Sequence, residues 1–182
     1  TMPRDAPPQL FQSDHWHIQS TAGPSHTAIL AKRLELTRFI WRQVFPGFVL
    51  TPIELSRRIV GQARPQPSSL FKSVLLANRE EYINSLQPLE PNIGQTLGIY
   101  WTPTQTAWFF STQETNVQTI EHEATHQLFA ECWPTSPIAG SKHGMWALEA
   151  AACYMESLKG TDFGFTAGGR QNGRVPAARA RV

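Results

Sequence analysis

One pentapeptide constrains this chain more than anything else in it: His122-Glu123-Ala124-Thr125-His126, two imidazoles four residues apart with a carboxylate beside the first. On an α-helix, residues i and i+4 project from one face, so the pair can chelate one metal ion while the adjacent glutamate reaches water bound to it. Val117, Ile120, Ala124 and Leu128 recur at helical spacing around the motif, and Thr115 with Gln118 is spaced as a capping box, which predicts a helix here. Two histidines merely packed near the surface of a helix would leave Glu123 without a reason to stand between them.

A catalytic zinc site takes three protein ligands and keeps one position open for water, so a third donor is required. One known arrangement, the metzincin form, breaks the helix at a glycine and supplies a third histidine three residues later. Those positions hold Phe129 and Cys132 here, and without the glycine turn the helix carries the Cys132 thiol away from the metal. The other arrangement places a glutamate on a second helix, and the composition and period of residues 144–156 predict one. Glu149 stands 23 residues after His126, and the intervening Trp133 to His143, with Pro134, Pro137 and Gly140, is loop enough to turn the chain back. An acid among Trp146, Leu148, Ala150, Ala151 and Ala152 needs either a partner or a solvated helix edge. Glu156, two turns on, is the fallback ligand.

With His122, Glu123 and His126 followed by such a helix, the sequence resembles the gluzincin branch of the zincin metallopeptidases. Trp146-Ala147-Leu148-Glu149-Ala150-Ala151-Ala152-Cys153-Tyr154 is similar to the W-x-x-E-G-x-A-x-Y helix of peptidase MA-like bacterial proteins. The resemblance covers about Val117 to Leu158, with two departures: Ala150 replaces a glycine, and Cys153 stands where thermolysin-like members carry an aspartate that supports a zinc histidine. It implies zinc held by His122, His126 and Glu149, with Glu123 as general base hydrolysing a peptide or protein substrate without a covalent intermediate. It also implies a donor to the oxyanion, for which His143, Tyr154 and Tyr100 are candidates and His143 is preferred. Substrate would lie as an added strand along Thr106 to Thr112.

The predicted fold class is α+β: a small zincin-like domain with a mixed sheet, the motif helix, and a second helix bearing the third ligand. Trp16 and Ile18 alternate with His15, His17 and Gln19, which predicts a strand over Asp14 to Ser20. Ile29, Leu36, Ile40 and Val44 recur at helical spacing between Ser25 and Phe45, with Pro46-Gly47 as a stop. Thr51-Pro52-Ile53-Glu54 opens a short helix to Gly61, and Leu70 to Ala77 is a strand. Asn78 with Glu81 caps a helix through Leu86, and Thr96 to Thr102 with Thr106 to Thr112 forms a hairpin. The domain spans residues 14–160, between an N-terminal extension of residues 1–13 and a flexible basic tail of residues 161–182.

Charge narrows the partners. Residues 1–169 carry 12 basic against 14 acidic side chains, the other four arginines lying in the tail, so no basic field faces phosphate and nucleic acid is not expected. No apolar run approaches the roughly 18 residues of a spanning helix, so no membrane partner is expected either. Thr1 to Gln9 lacks the pattern of a secretory signal, and secretion or a periplasmic location follows only where a signal has been removed. Two cysteines, Cys132 and Cys153, allow one bridge or none, and oligomeric state is not encoded in these patterns. The rival to an enzyme is a non-catalytic, zinc-stabilised peptide-binding or interaction domain; an intact Glu123 argues against it, because a structural zinc site closes with four protein ligands and needs no base.

Overall fold

The computed structural model describes residues 8–48, 52–60, 70–112, 116–132, 145–162 and 164–168. Its centre is a five-stranded mixed sheet of order β1-β2-β3-β5-β4. The strands are β1 (Gln9–Gln12), β2 (Trp16–Ser20), β3 (Phe71–Leu76), β4 (Ile99–Trp101) and β5 (Thr106–Phe110). β2, β3 and β5 run parallel, while β1 and β4 are antiparallel strands at the two edges. The described residues also include five α-helices: α1 (Pro24–Val44), α2 (Pro52–Ile59), α3 (Arg79–Leu86), α4 (Val117–Cys132) and α5 (Met145–Met155). A small hairpin, β6 (Lys159–Thr161) with β7 (Gly164–Thr166), closes the described chain. This is an α+β architecture, as its sequence predicts.

Strand alternation decides which helices cover which face. Trp16, Ile18, Phe71, Leu75, Ala107 and Phe109 form one buried cluster with Leu34 and Trp41 of α1 and Ala124 and Leu128 of α4. Val74 and Leu76 point the other way, against Tyr82 and Leu86 of α3, with Trp108 and Phe110 packed beside them. α4 therefore lies on the same side as α1, and α5 packs onto that layer through Met155, Leu148 and Ala151. No described helix is long and apolar enough to cross a membrane.

Several elements depart from the expectations. β1 lies within the predicted extension, because Leu10 and its neighbours pair with β2 although all four are exposed and carry no hydrophobic pattern. β6 spans the expected boundary at residue 160 and β7 lies at the start of the predicted tail, while residues 169–182 lie outside the described residues. The loop expected at Arg64 to Pro67 also lies outside them, as does the Thr51 cap. The face of α1 is rotated: Thr27, Leu30, Ala31, Leu34, Thr37, Ile40 and Trp41 are buried, whereas Ile29 and Val44 are exposed. Buried threonines explain the shift, since Thr27 bonds Ser20 and Gly23, and Thr37 bonds the Arg33 carbonyl, so polar side chains sit on the inner face at no cost in unmet hydrogen bonds. Asn78 behaves as predicted, accepting the Glu81 N–H at 2.9 Å.

This rotated face yields a direct test. Leu34→Ala should lower stability by about 2–5 kcal/mol through the cavity it leaves, and Ile29→Ala by less than about 1 kcal/mol, as read from urea unfolding midpoints.

Candidate metal centre

The motif sits in the second and third turns of α4. Thr115, predicted to cap this helix, lies outside the described residues; the Asn116 side chain accepts the Thr119 N–H at 3.2 Å and performs that role. From there α4 presents a different surface to each neighbour. Ala124 and Leu128 enter the core, Glu121 faces Arg33 of α1, and Glu123 and Gln127 reach β4 and β3. His122 and His126 face α5.

There the predicted third donor meets them. His126 Nε2 lies 3.1 Å from His122 Nε2, Glu149 Oε1 lies 3.3 Å from His126 Nε2, and Glu149 Oε2 lies 3.5 Å from His122 Nε2. Three side chains from two helices thus converge, with one ligand atom from each within 4.8 Å of the others, a group that can hold a metal ion. Burial and the neighbouring His122 hold the His126 pKa below its usual range, with Glu149 opposing them, which favours the neutral, metal-binding form.

Glu156 is placed elsewhere than the fallback reading puts it. Its carboxylate meets the opposite nitrogen, His122 Nδ1, at 3.0 Å. Accepting the Nδ1–H selects the tautomer whose lone pair is on Nε2, and it fixes the ring plane. The supporting acid comes from seven residues past Glu149, the same helix face, where Cys153 occupies the intermediate step. That spacing was the available signal.

Glu123 is also oriented. Its Oε2 accepts the backbone N–H of Tyr100 at 2.8 Å. β4 approaches this closely because Gly98 carries no side chain: a Cβ there would sit 2.7 Å from Thr119 Cγ2 and 3.3 Å from the Trp108 carbonyl. The Tyr100 hydroxyl, one of the expected oxyanion donors, is instead directed at Glu131 Oε1, 3.2 Å away. Tyr154 lies five residues past Glu149, off the ridge formed by Glu149, Cys153 and Glu156, with its ring close to Gly168. His143 lies outside the described residues. Cys132 belongs to neither metal-competent group among the described residues, and it is not bridged to Cys153. Thr106 to Phe110 is interior to the sheet, so the expected edge is corrected: among the described residues, the edge strand beside the motif helix is β4.

One group went unforeseen. Glu121 is 1% exposed, and its Oε2 meets no partner among the described residues, the only nearby cation being Arg33 at 3.7 Å. Burial first, then proximity to Glu156, pushes its pKa up to about 8 against the pull of Arg33.

No protein-family model matches this chain, nor does any curated protein or solved structure. The reading of the site therefore rests on its own geometry.

Two outcomes are expected. Folded Glu121 keeps a proton that the unfolded chain releases above 4.5, so its contribution is fully present at acid pH and is lost as pH rises from there toward 8. Glu121→Gln should accordingly gain roughly 2–4 kcal/mol on wild type between pH 5 and pH 8.5 in denaturation experiments, rather than show a constant difference. Separately, Glu156→Gln should weaken metal binding about 10- to 100-fold in competition with a chelator.

Proposed function

We propose that this protein is a zinc-dependent metallopeptidase of the gluzincin kind, built on a zincin-like arrangement of sheet and helices. The observation that carries the reading is the spacing of the three donors. Ligands about 2.0–2.2 Å from a tetrahedral zinc stand about 3.3–3.6 Å apart; the two Nε2 atoms are 3.1 Å apart, and the two oxygens of the Glu149 carboxylate lie 3.3 Å from His126 Nε2 and 3.5 Å from His122 Nε2. Two imidazoles and one carboxylate also form the donor set that suits zinc and leaves a fourth position for water.

His122, His126 and Glu149 would hold the ion, which when bound supplies Lewis acidity toward water and the scissile carbonyl. The other steps belong to side chains. With its carboxylate oriented by the Tyr100 N–H, Glu123 takes the proton of the attacking water and passes it to the nitrogen of the departing amine. No bond forms between protein and substrate. Glu156 holds the His122 ring in the ligating tautomer, and substrate aligns as an extra strand beside β4.

The test combines elemental analysis with hydrolysis of a mixed peptide library. Glu123→Gln should retain metal while turnover falls at least about 100-fold, and Glu149→Gln should lose metal on dialysis. Equal turnover by wild type and Glu123→Gln would overturn the reading and favour a zinc-held interaction domain.

A further inference from the structure

The α5 face turned toward His122 carries more ligating chemistry than one metal site uses. Glu149, Cys153 and Glu156 follow one another at four- and three-residue steps, which places all three on one ridge. Glu149 reaches the Nε2 side of the His122 imidazole and Glu156 the Nδ1 side. One nitrogen of His122, Cys153 Sγ and a Glu156 carboxylate oxygen all lie within 4.8 Å of one another.

We propose that His122, Cys153 and Glu156 form a second metal site, selective for a soft, thiophilic divalent cation and mutually exclusive with the first. Selectivity follows from the donors. The first group offers nitrogen and oxygen alone, whereas the second adds a sulfur, which favours softer ions over harder ones. Exclusivity follows from the shared ring. A neutral imidazole has a single ring lone pair, so a cation on Nδ1 requires the ring proton on Nε2, and His122 is then lost to His126 and Glu149.

The proton balance is definite. The Cys153 thiol gives up its proton as the sulfur–metal bond forms, while the imidazole releases one proton from Nδ1 and takes one back on Nε2. Binding to the metal-free chain therefore releases one proton net. Where the first site is filled, its ion leaves as the second fills. The inference stands on the geometry of α4 and α5 and holds whether or not the protein cleaves peptides.

Cadmium alone, added to the full-length, chelator-stripped chain, is the probe. Ultraviolet absorption from the thiolate–cadmium bond should grow and saturate at a single equivalent. Cys153→Ser should abolish the band and weaken cadmium binding at least about tenfold, with Cys153→Ala as a second variant that preserves apolar packing and with circular dichroism to verify folding. Cys132→Ser and His126→Ala should both keep the band. On a zinc-loaded chain, elemental analysis should show zinc released as cadmium is taken up. A band that survives in either Cys153 variant, or that vanishes in His126→Ala, would overturn the assignment. Zinc and cadmium retained together would overturn the exclusivity.

Discussion

The imidazole of His122 is the fixed point of this structure. It is buried, its Nδ1 is held by Glu156 at 3.0 Å, and its Nε2 faces His126 and Glu149. A ring gripped at Nδ1 and surrounded by packed helix has little freedom to rotate, so the direction of the Nε2 lone pair is set before any ligand arrives. The grip depends on close approach of α5 to α4. Ala151 and Ala152 make that approach possible, because side chains no larger than a methyl let the α5 backbone settle near the motif helix, where carboxylates of limited reach can meet the rings.

What fixes α4 against the sheet is also polar. Gln127 is fully buried; its Oε1 accepts Trp16 Nε1–H at 3.1 Å, and its Nε2 donates to the Lys72 carbonyl at 3.0 Å and to Glu131 at 2.9 Å. Apolar contacts through Ala124 and Leu128 would tolerate small slips of the helix. The amide would not, since a one-residue slip turns it through about 100° and strands two buried polar groups, each worth roughly 1–3 kcal/mol unmet. His122, His126 and the anchoring amide share one helix, so orientation of the candidate site is inherited from orientation of the core.

Local patterns carried much of this into the sequence. A four-residue spacing placed His122 and His126 together, and an acid in an alanine-rich helix marked Glu149. Trp16 and Ile18 announced their strand by alternation, and Asn78 its helix by its cap. What stayed hidden depends on contacts between distant segments. Sheet order is not written in strand patterns, so nothing local distinguishes interior β5 from edge β4. The inner face of α1 is not marked by apolar spacing, because Thr27 and Thr37 are polar side chains that satisfy their hydroxyls within the fold. Glu156 had the right spacing, but which nitrogen it meets is decided by the packing angle between helices.

The edge strand adds a last constraint. β4 is three residues long and pairs with a single neighbour among the described residues, so that ladder alone would hold it loosely. Tyr100 fastens it to α4 at two places: its backbone N–H to Glu123, and its hydroxyl to Glu131 eight residues further along the helix. Burial and the adjacent Glu131 raise the Tyr100 phenol pKa, so the hydroxyl keeps the proton it donates. Two attachments along one helix fix the strand in both position and direction. A peptide that paired with β4 would then be registered against Glu123 through the same residue that orients this carboxylate. Under the proposed reading, alignment of substrate and placement of the base would become one geometric event rather than two, and that is the condition under which an oriented carboxylate lowers a reaction barrier most.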